Sequence, residues 1–168
     1  MKVILYMAAT VNGFIAKEND DTSWISTEEW SSYSAMVRKA GNVIIGHRTY
    51  DIITKQPEFS EFKDVKVIIV ANQNFTTLRP THIVVRSPAE ALEKLNDVAE
   101  VIVAGGSILN AAFLKNHLVD EIYLHLEPII FGKGIPLFDV SDFENRLQLI
   151  GTKQISKNEI QLHYKVIK

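Results

Sequence analysis

The sequence predicts an α/β fold: a mostly parallel central sheet with helices on both faces and an antiparallel hairpin at its C-terminal end. Three observations carry this. Short apolar, β-branched runs over residues 3–9, 42–45 and 65–71 lack polar alternation, as strands buried on both faces do. Segments of helical period separate such runs, so that strand and helix alternate five times, which marks βαβ units. The 168 residues, 46% hydrophobic and 23% charged, suit one globular domain whose core needs no disulfide or metal staple.

Residues 3–9 form the first strand. Asn12-Gly13 signals a turn, Phe14-Ile15-Ala16 resumes as a short extended piece, and residues 17–23, with three acids and little to bury, read as an exposed loop. Ser26 opens a helix: its hydroxyl caps the first turn and Glu29 stands three residues on, as in a capping box. Trp30, Tyr33, Met36, Val37 and Ala40 then recur at helical spacing until Gly41 ends the helix. A strand over 42–45, a short helix over 49–54, a buried strand over 65–71 and a fourth strand over 82–86 follow. Ser87-Pro88-Ala89-Glu90 supplies an N-cap, a proline at the first helical position and a capping acid for a helix over 88–95. Next come a strand over 100–104, two glycines, a helix over 108–116 and a strand over 121–126. Residues 147–155 and 159–167, joined by the polar turn Ser156-Lys157-Asn158, make the closing hairpin. No internal repeat, low-complexity tract or linker interrupts the chain.

Composition excludes whole classes of chemistry. Cysteine is absent, which removes disulfide scaffolds, cysteine nucleophiles, iron–sulfur clusters and thiolate zinc sites, and fits a reducing compartment. No other metal-ligand set is read from the sequence. Eighteen basic against twenty acidic residues give a formal charge of −2, so nucleic acid and anionic membrane are not expected partners and a small molecule is. The apolar start over residues 1–7 is too short to span a bilayer and no cleavage signal follows it, so a mature cytoplasmic protein is expected.

Ligands of open parallel sheets bind at the carboxyl ends of the strands, and three junctions there carry chemistry. At Ala104-Gly105-Gly106-Ser107-Ile108 a strand turns through two glycines into a helix, where close backbone approach and free amides suit a phosphate; a tight βα turn is the plainer alternative. At Gly46-His47-Arg48-Thr49-Tyr50 a guanidinium, an imidazole and a hydroxyl gather at another helix start and could hold a second phosphate, or lie solvated there. Two such junctions suit a dinucleotide, whose phosphates lie at separated places. The third site is acidic: Glu28 and Glu29 near Trp24, with His125 on a later strand. A carboxylate beside an aromatic ring can pair with the N–H edge of a pyrimidine or pterin and help to protonate it, although both acids also suit a helix start.

In order, Thr10-Val11-Asn12-Gly13-Phe14-Ile15-Ala16, Trp24-Ile25-Ser26, Gly46-His47-Arg48-Thr49-Tyr50, Ala104-Gly105-Gly106-Ser107, Val119-Asp120-Glu121-Ile122 and Gly132-Lys133-Gly134-Ile135-Pro136-Leu137-Phe138 resemble the dihydrofolate reductase superfamily. The chain is most similar to its riboflavin-biosynthesis branch, the C-terminal reductase domain of the bifunctional deaminase/reductase, over nearly its whole length. The resemblance implies a dihydrofolate reductase-like fold and hydride transfer from NADPH to a nitrogen heterocycle or a ribosylamino-pyrimidine, of the 5-amino-6-(5-phosphoribosylamino)uracil reductase type. By the same resemblance Ala8 and Ile15 line the nicotinamide pocket, and His47, Arg48, Thr49 and Asn72 hold the adenosine side. Gly105, Gly106, Ser107 and Ile108 wrap the pyrophosphate, Glu29 or Glu28 falls near the acid that grips the heterocycle, and His125 falls near a polar residue that supports it.

The departures bear on substrate. Ser107 and Ile108 stand where folate enzymes usually have a third glycine and a basic residue, which leaves His47 and Arg48 to select NADPH over NADH. The arginine that anchors a folate tail would fall near Val65, with only Lys63 and Lys66 close by, and no deaminase segment is present. Residues 17–23 could close over the site, and Lys133 could meet a substrate phosphate. The rival readings are dihydrofolate reductase itself and an NADPH-binding module without catalysis. Members of the riboflavin branch commonly form dimers, so a homodimer is implied by analogy alone.

Overall fold

The computed structural model describes all 168 residues, Met1–Lys168. The chain runs β1 (Lys2–Thr10), β2 (Phe14–Ala16), α1 (Thr27–Ala40), β3 (Asn42–Gly46), α2 (His47–Ile53), a 3-10 turn (Pro57–Phe62), β4 (Lys66–Val70) and β5 (Ile83–Val85). It continues through α3 (Pro88–Glu93), β6 (Glu100–Val103), α4 (Ser107–Lys115), β7 (Glu121–Glu127), β8 (Ile135–Pro136), β9 (Arg146–Gln154) and β10 (Ile160–Ile167). Eight strands form one sheet in the order β5-β4-β3-β6-β1-β7-β10-β9. The first six are parallel, and the β9–β10 hairpin adds antiparallel to β7, as its sequence predicts.

Both faces of the sheet are covered because β1 is apolar on both. Val3 and Leu5 pack with Leu95, Leu109 and Phe113 under α3 and α4, whereas Ile4 and Tyr6 pack with Tyr33, Val37, Phe59 and Phe62 under α1 and the 3-10 turn. Each fully buried side chain of this size contributes about 1.5–3 kcal/mol, so the two layers hold the central strands firmly and leave the strand tips to differ in role.

Besides shifts of one or two residues at several ends, the structure departs from expectation in one early helix start and two unexpected elements. The second helix begins at His47 rather than 49, because extended Gly46 (φ −78°, ψ 159°) caps it directly. Residues 57–62 form a 3-10 turn that carries no strong sequence period; Pro57 starts it and the buried Phe59 and Phe62 anchor it. β8 pairs with β2 in a small separate sheet, too short to show as a pattern. Gly134 permits that contact, since a Cβ there would lie 2.6 Å from the Ala16 carbonyl oxygen.

Candidate active site

The tips of β3 and β6 form one glycine-floored hollow. The Gly46 amide donates to the Gly105 carbonyl at 2.7 Å. Gly105 has φ +82°, a backbone region that favours glycine, and the Gly105–Gly106 peptide is cis. A Cβ on Gly106 would lie 3.2 Å from Thr49 Oγ1 and 3.8 Å from Ile15 Cδ1, and one on Gly46 3.6 Å from the Gly105 oxygen. The starts of α2 and α4, the tip of β3 and the β2 strand therefore converge on a single space. The two glycine bends adjoin, which corrects the expectation of phosphate cradles at separated places. Gly106 caps α4 without a side-chain bond, and the buried Ser107 Oγ beside it has no partner. Free amides and an orphaned hydroxyl at the start of a nine-residue helix suit an oxyanion, so this hollow fits the phosphates of a dinucleotide.

Across β1 from that hollow lies an acidic cluster. The parallel register sets Ala8 opposite His125 and Thr10 opposite Glu127, and the antiparallel register sets Gln161 opposite His125. Glu29, His125, Glu127, Glu159 and Gln161 are all buried, on the face that α1 covers. The Ser26 hydroxyl accepts from the Glu29 amide at 3.0 Å, but the Ser26 amide donates to Glu127 Oε1 at 2.9 Å. The expected capping box is thus half formed: Glu127, 101 residues away, takes the place that Glu29 would fill, and the Glu29 carboxyl turns inward.

Burial pushes the Glu29 carboxyl up to about 8, and the charges of Glu127 and Glu159 add to the effect. Burial also raises Glu127, against the Ser26 amide. Glu159 is held below its ordinary value, first by the Ser156 hydroxyl. Burial lowers His125, and neither of its ring nitrogens has a hydrogen-bond partner. Tyr6 accepts from Gln161 Nε2 at 3.0 Å, and its phenol is raised by burial and then by Glu29. No lysine or arginine pairs with these three carboxylates. Beyond β7, Lys17 and Lys133 line an open cavity of about 510 Å³ with Phe131, against which Trp24 packs edge-on at 5.3 Å.

The RibD C-terminal domain family matches residues 1–161. The chain belongs to this family. It is 30% identical to the uncharacterized protein YwjB of Bacillus subtilis (strain 168), over 97% of each chain. Among solved structures, Acinetobacter baumannii RibD shares the fold with a TM-score of 0.82 at 18% identity, over 99% of this chain and 58% of that one. A diaminohydroxyphosphoribosylaminopyrimidine deaminase/5-amino-6-(5-phosphoribosylamino)uracil reductase of Thermotoga maritima does so with a TM-score of 0.75 at 20% identity, over 99% of this chain and 56% of that one.

In this RibD-family chain most of the residues singled out in the sequence meet at the hollow or at its rim. Ile15, Gly46, Thr49, Gly105, Gly106 and Ser107 surround it, and Ala104 donates to the Ile44 carbonyl below it. Ile108 is 73% exposed at the start of α4, an apolar side chain without cover. Ala8 is buried on β1, which lies between β6 and β7, and pairs with His125. Asn72 is exposed just beyond β4. His47 stacks on Phe75 with centroids 3.9 Å apart, its Nε2 3.5 Å from Asp51. Arg48 is not the free cation expected: its Nε lies 2.7 Å from Asp20 of the loop over residues 17–23. Glu28 is a correction too, since it is exposed and accepts from the Thr27 hydroxyl at 3.0 Å rather than joining Glu29. Glu127, Glu159, Gln161 and Tyr6 were not foreseen. Glu127 stands two residues from His125 on one strand face, and Glu159, Gln161 and His163 alternate with Ile160, Leu162 and Tyr164; that period of two was the available signal.

Proposed function

We propose that this protein is a single-domain cytoplasmic NADPH-dependent reductase that delivers a hydride to a pyrimidine-type heterocycle, of the 5-amino-6-(5-phosphoribosylamino)uracil reductase kind. The observation that carries this reading is the position of β1 in the sheet, between β6, which runs into the glycine hollow, and β7, which bears His125 and Glu127 beside the buried Glu29 carboxyl. When bound, the coenzyme supplies the hydride. Gly46, Gly105 and Gly106 would let phosphates approach the backbone, the Ser107 hydroxyl would gain the partner it lacks, and Ile108 would offer apolar cover. Glu29 donates a hydrogen bond to the heterocycle and favours its protonated form, while Tyr6 and Gln161 hold the floor beneath. Lys17 and Lys133 meet the substrate phosphate in the open cavity, and the Asp20–Arg48 pair ties the loop over residues 17–23 to α2 at the rim.

Dihydrofolate fits less well. By the resemblance a tail-anchoring arginine would fall near Val65, which is buried, and the neighbouring Lys66 ammonium is turned to the Lys94 carbonyl. NADPH oxidation measured with the ribosylamino-pyrimidine and with dihydrofolate separates the readings. Turnover of the pyrimidine alone is expected. Turnover of dihydrofolate alone would make the protein a folate enzyme, and coenzyme binding that no heterocycle turns into oxidation would leave a binding module.

A further inference from the structure

We propose that His125, Glu127 and Glu159 bind one divalent first-row cation, for which zinc and manganese are the suited ions. One donor atom from each residue lies within 4.8 Å of the others. The three side chains are 0%, 3% and 7% exposed, and the backbone registers fix them there: His125 and Glu127 are two apart on β7, and Glu159 precedes β10 on the same face.

The observation that points to a ligand is the imidazole. His125 is fully buried and neither nitrogen has a hydrogen-bond partner, a rare state for a buried polar group. Its Nε2 is 3.7 Å from Glu127 Oε1, too long for a hydrogen bond. With metal–donor distances of about 2.0–2.2 Å, two tetrahedral ligands sit about 3.4 Å apart, so small rotamer changes would close the set. A proton shared between Glu127 and Glu159 would relieve the two carboxylates but would leave the imidazole alone. A cation satisfies all three.

Charge agrees with this assignment. Glu29 adds a third buried acid, and no lysine or arginine pairs with the cluster. Buried carboxylates without a cationic partner are paid for by protonation or by a metal. One imidazole and two carboxylates are donors for zinc and manganese, and three protein ligands leave a coordination position open for water or a substrate atom. Glu159, the least buried of the three, directly follows the exposed Lys157 and Asn158.

The full chain, stripped with a chelator and free of coenzyme, is titrated with zinc and with manganese by calorimetry. One equivalent of at least one ion binds, and His125→Gln and Glu159→Gln each weaken it about ten-fold or more. His163→Gln, which removes the partner of Glu121 near the surface, leaves the affinity unchanged. Anomalous diffraction from a soaked wild-type crystal puts the ion between the three side chains and does not depend on any variant folding. No uptake of either ion, an affinity indifferent to both variants, or an anomalous peak elsewhere would overturn the proposal. A separate coenzyme titration keeps that failure distinct from failure of the reductase reading.

Discussion

Replacing Glu29 by glutamine should flatten the pH dependence of stability. In the folded chain the carboxyl sits at about 8 against an ordinary 4.5, because it is buried beside two other acids. The stability associated with its proton is fully present below pH 4.5, where folded and unfolded chains both carry it. Between 4.5 and about 8 the unfolded chain ionises while the folded chain does not, so stability falls with rising pH; above about 8 the loss is complete. The rise is about 3.5 pH units at about 1.36 kcal/mol each, which sets a ceiling of about 5 kcal/mol. Urea unfolding of chelator-treated wild type and Glu29→Gln at intervals from pH 5 to 9 reads this directly. The difference between the two curves isolates Glu29 from Glu127, whose raised carboxyl tilts both curves the same way. The variant should gain on the wild type steadily toward alkaline pH. Parallel curves across the range would refute a buried, protonated Glu29 and with it the proton donor proposed for the heterocycle.

Gly46→Ala should leave stability within about 1 kcal/mol of wild type, since its methyl would meet only ordinary contacts at 3.6–4.0 Å and the residue already has negative φ. The same methyl stands in the hollow, so NADPH affinity by fluorescence titration should fall about ten-fold; unaltered affinity would move the coenzyme elsewhere. Arg48→Ala should weaken NADPH more than NADH, and Asp20→Asn, which removes the charge facing the guanidinium, should tighten NADPH at a cost in stability of about 1 kcal/mol or less, because Arg48 is largely exposed. Equal effects on both coenzymes would remove Arg48 from recognition of the extra phosphate. The edge strand β9 exposes Leu147, Leu149 and Ile150 by 45%, 51% and 46%, an apolar edge suited to pairing with a second copy. Light scattering should show a dimer that Leu149→Lys converts to monomer, and a wild-type monomer would end the analogy.

The fold was legible because its signals are local. The β-branched, apolar runs over 3–9 and 65–71 suggest buried strands and lie in or around β1 and β4, and Ser26 and Gly41 bracket α1 as caps should, the serine bonding the Glu29 amide and Gly41 taking φ +69°. Each glycine bend was legible as a short contiguous motif, but their meeting in one hollow was not, because the Gly46–Gly105 contact is tertiary. The acidic cluster was not. Glu29 has an ordinary local role at a helix start, and only the tertiary arrangement shows that Glu127 has displaced it from that role. Glu159 reaches the site through an antiparallel pairing across a hairpin, a contact that no local spacing encodes. The partner of Arg48 was hidden likewise, because Asp20 lies in a loop with no period to fix its direction.

The composition of the two sides of β1 constrains the proposed substrate. One side offers backbone amides and a hydroxyl, groups that donate to anionic oxygens; the other offers three carboxyl groups with no lysine or arginine paired to them. With Glu29 protonated, a heterocycle on the acidic side is matched by one ring acceptor toward Glu29 and by N–H donors toward Glu127 and Glu159. Any phosphate it carries must point away, toward Lys17 and Lys133. For the proposed substrate, an amino-pyrimidine bearing a phosphoribosyl arm, the amino groups would face the acids and the arm would extend toward the cavity that Lys17 and Lys133 line.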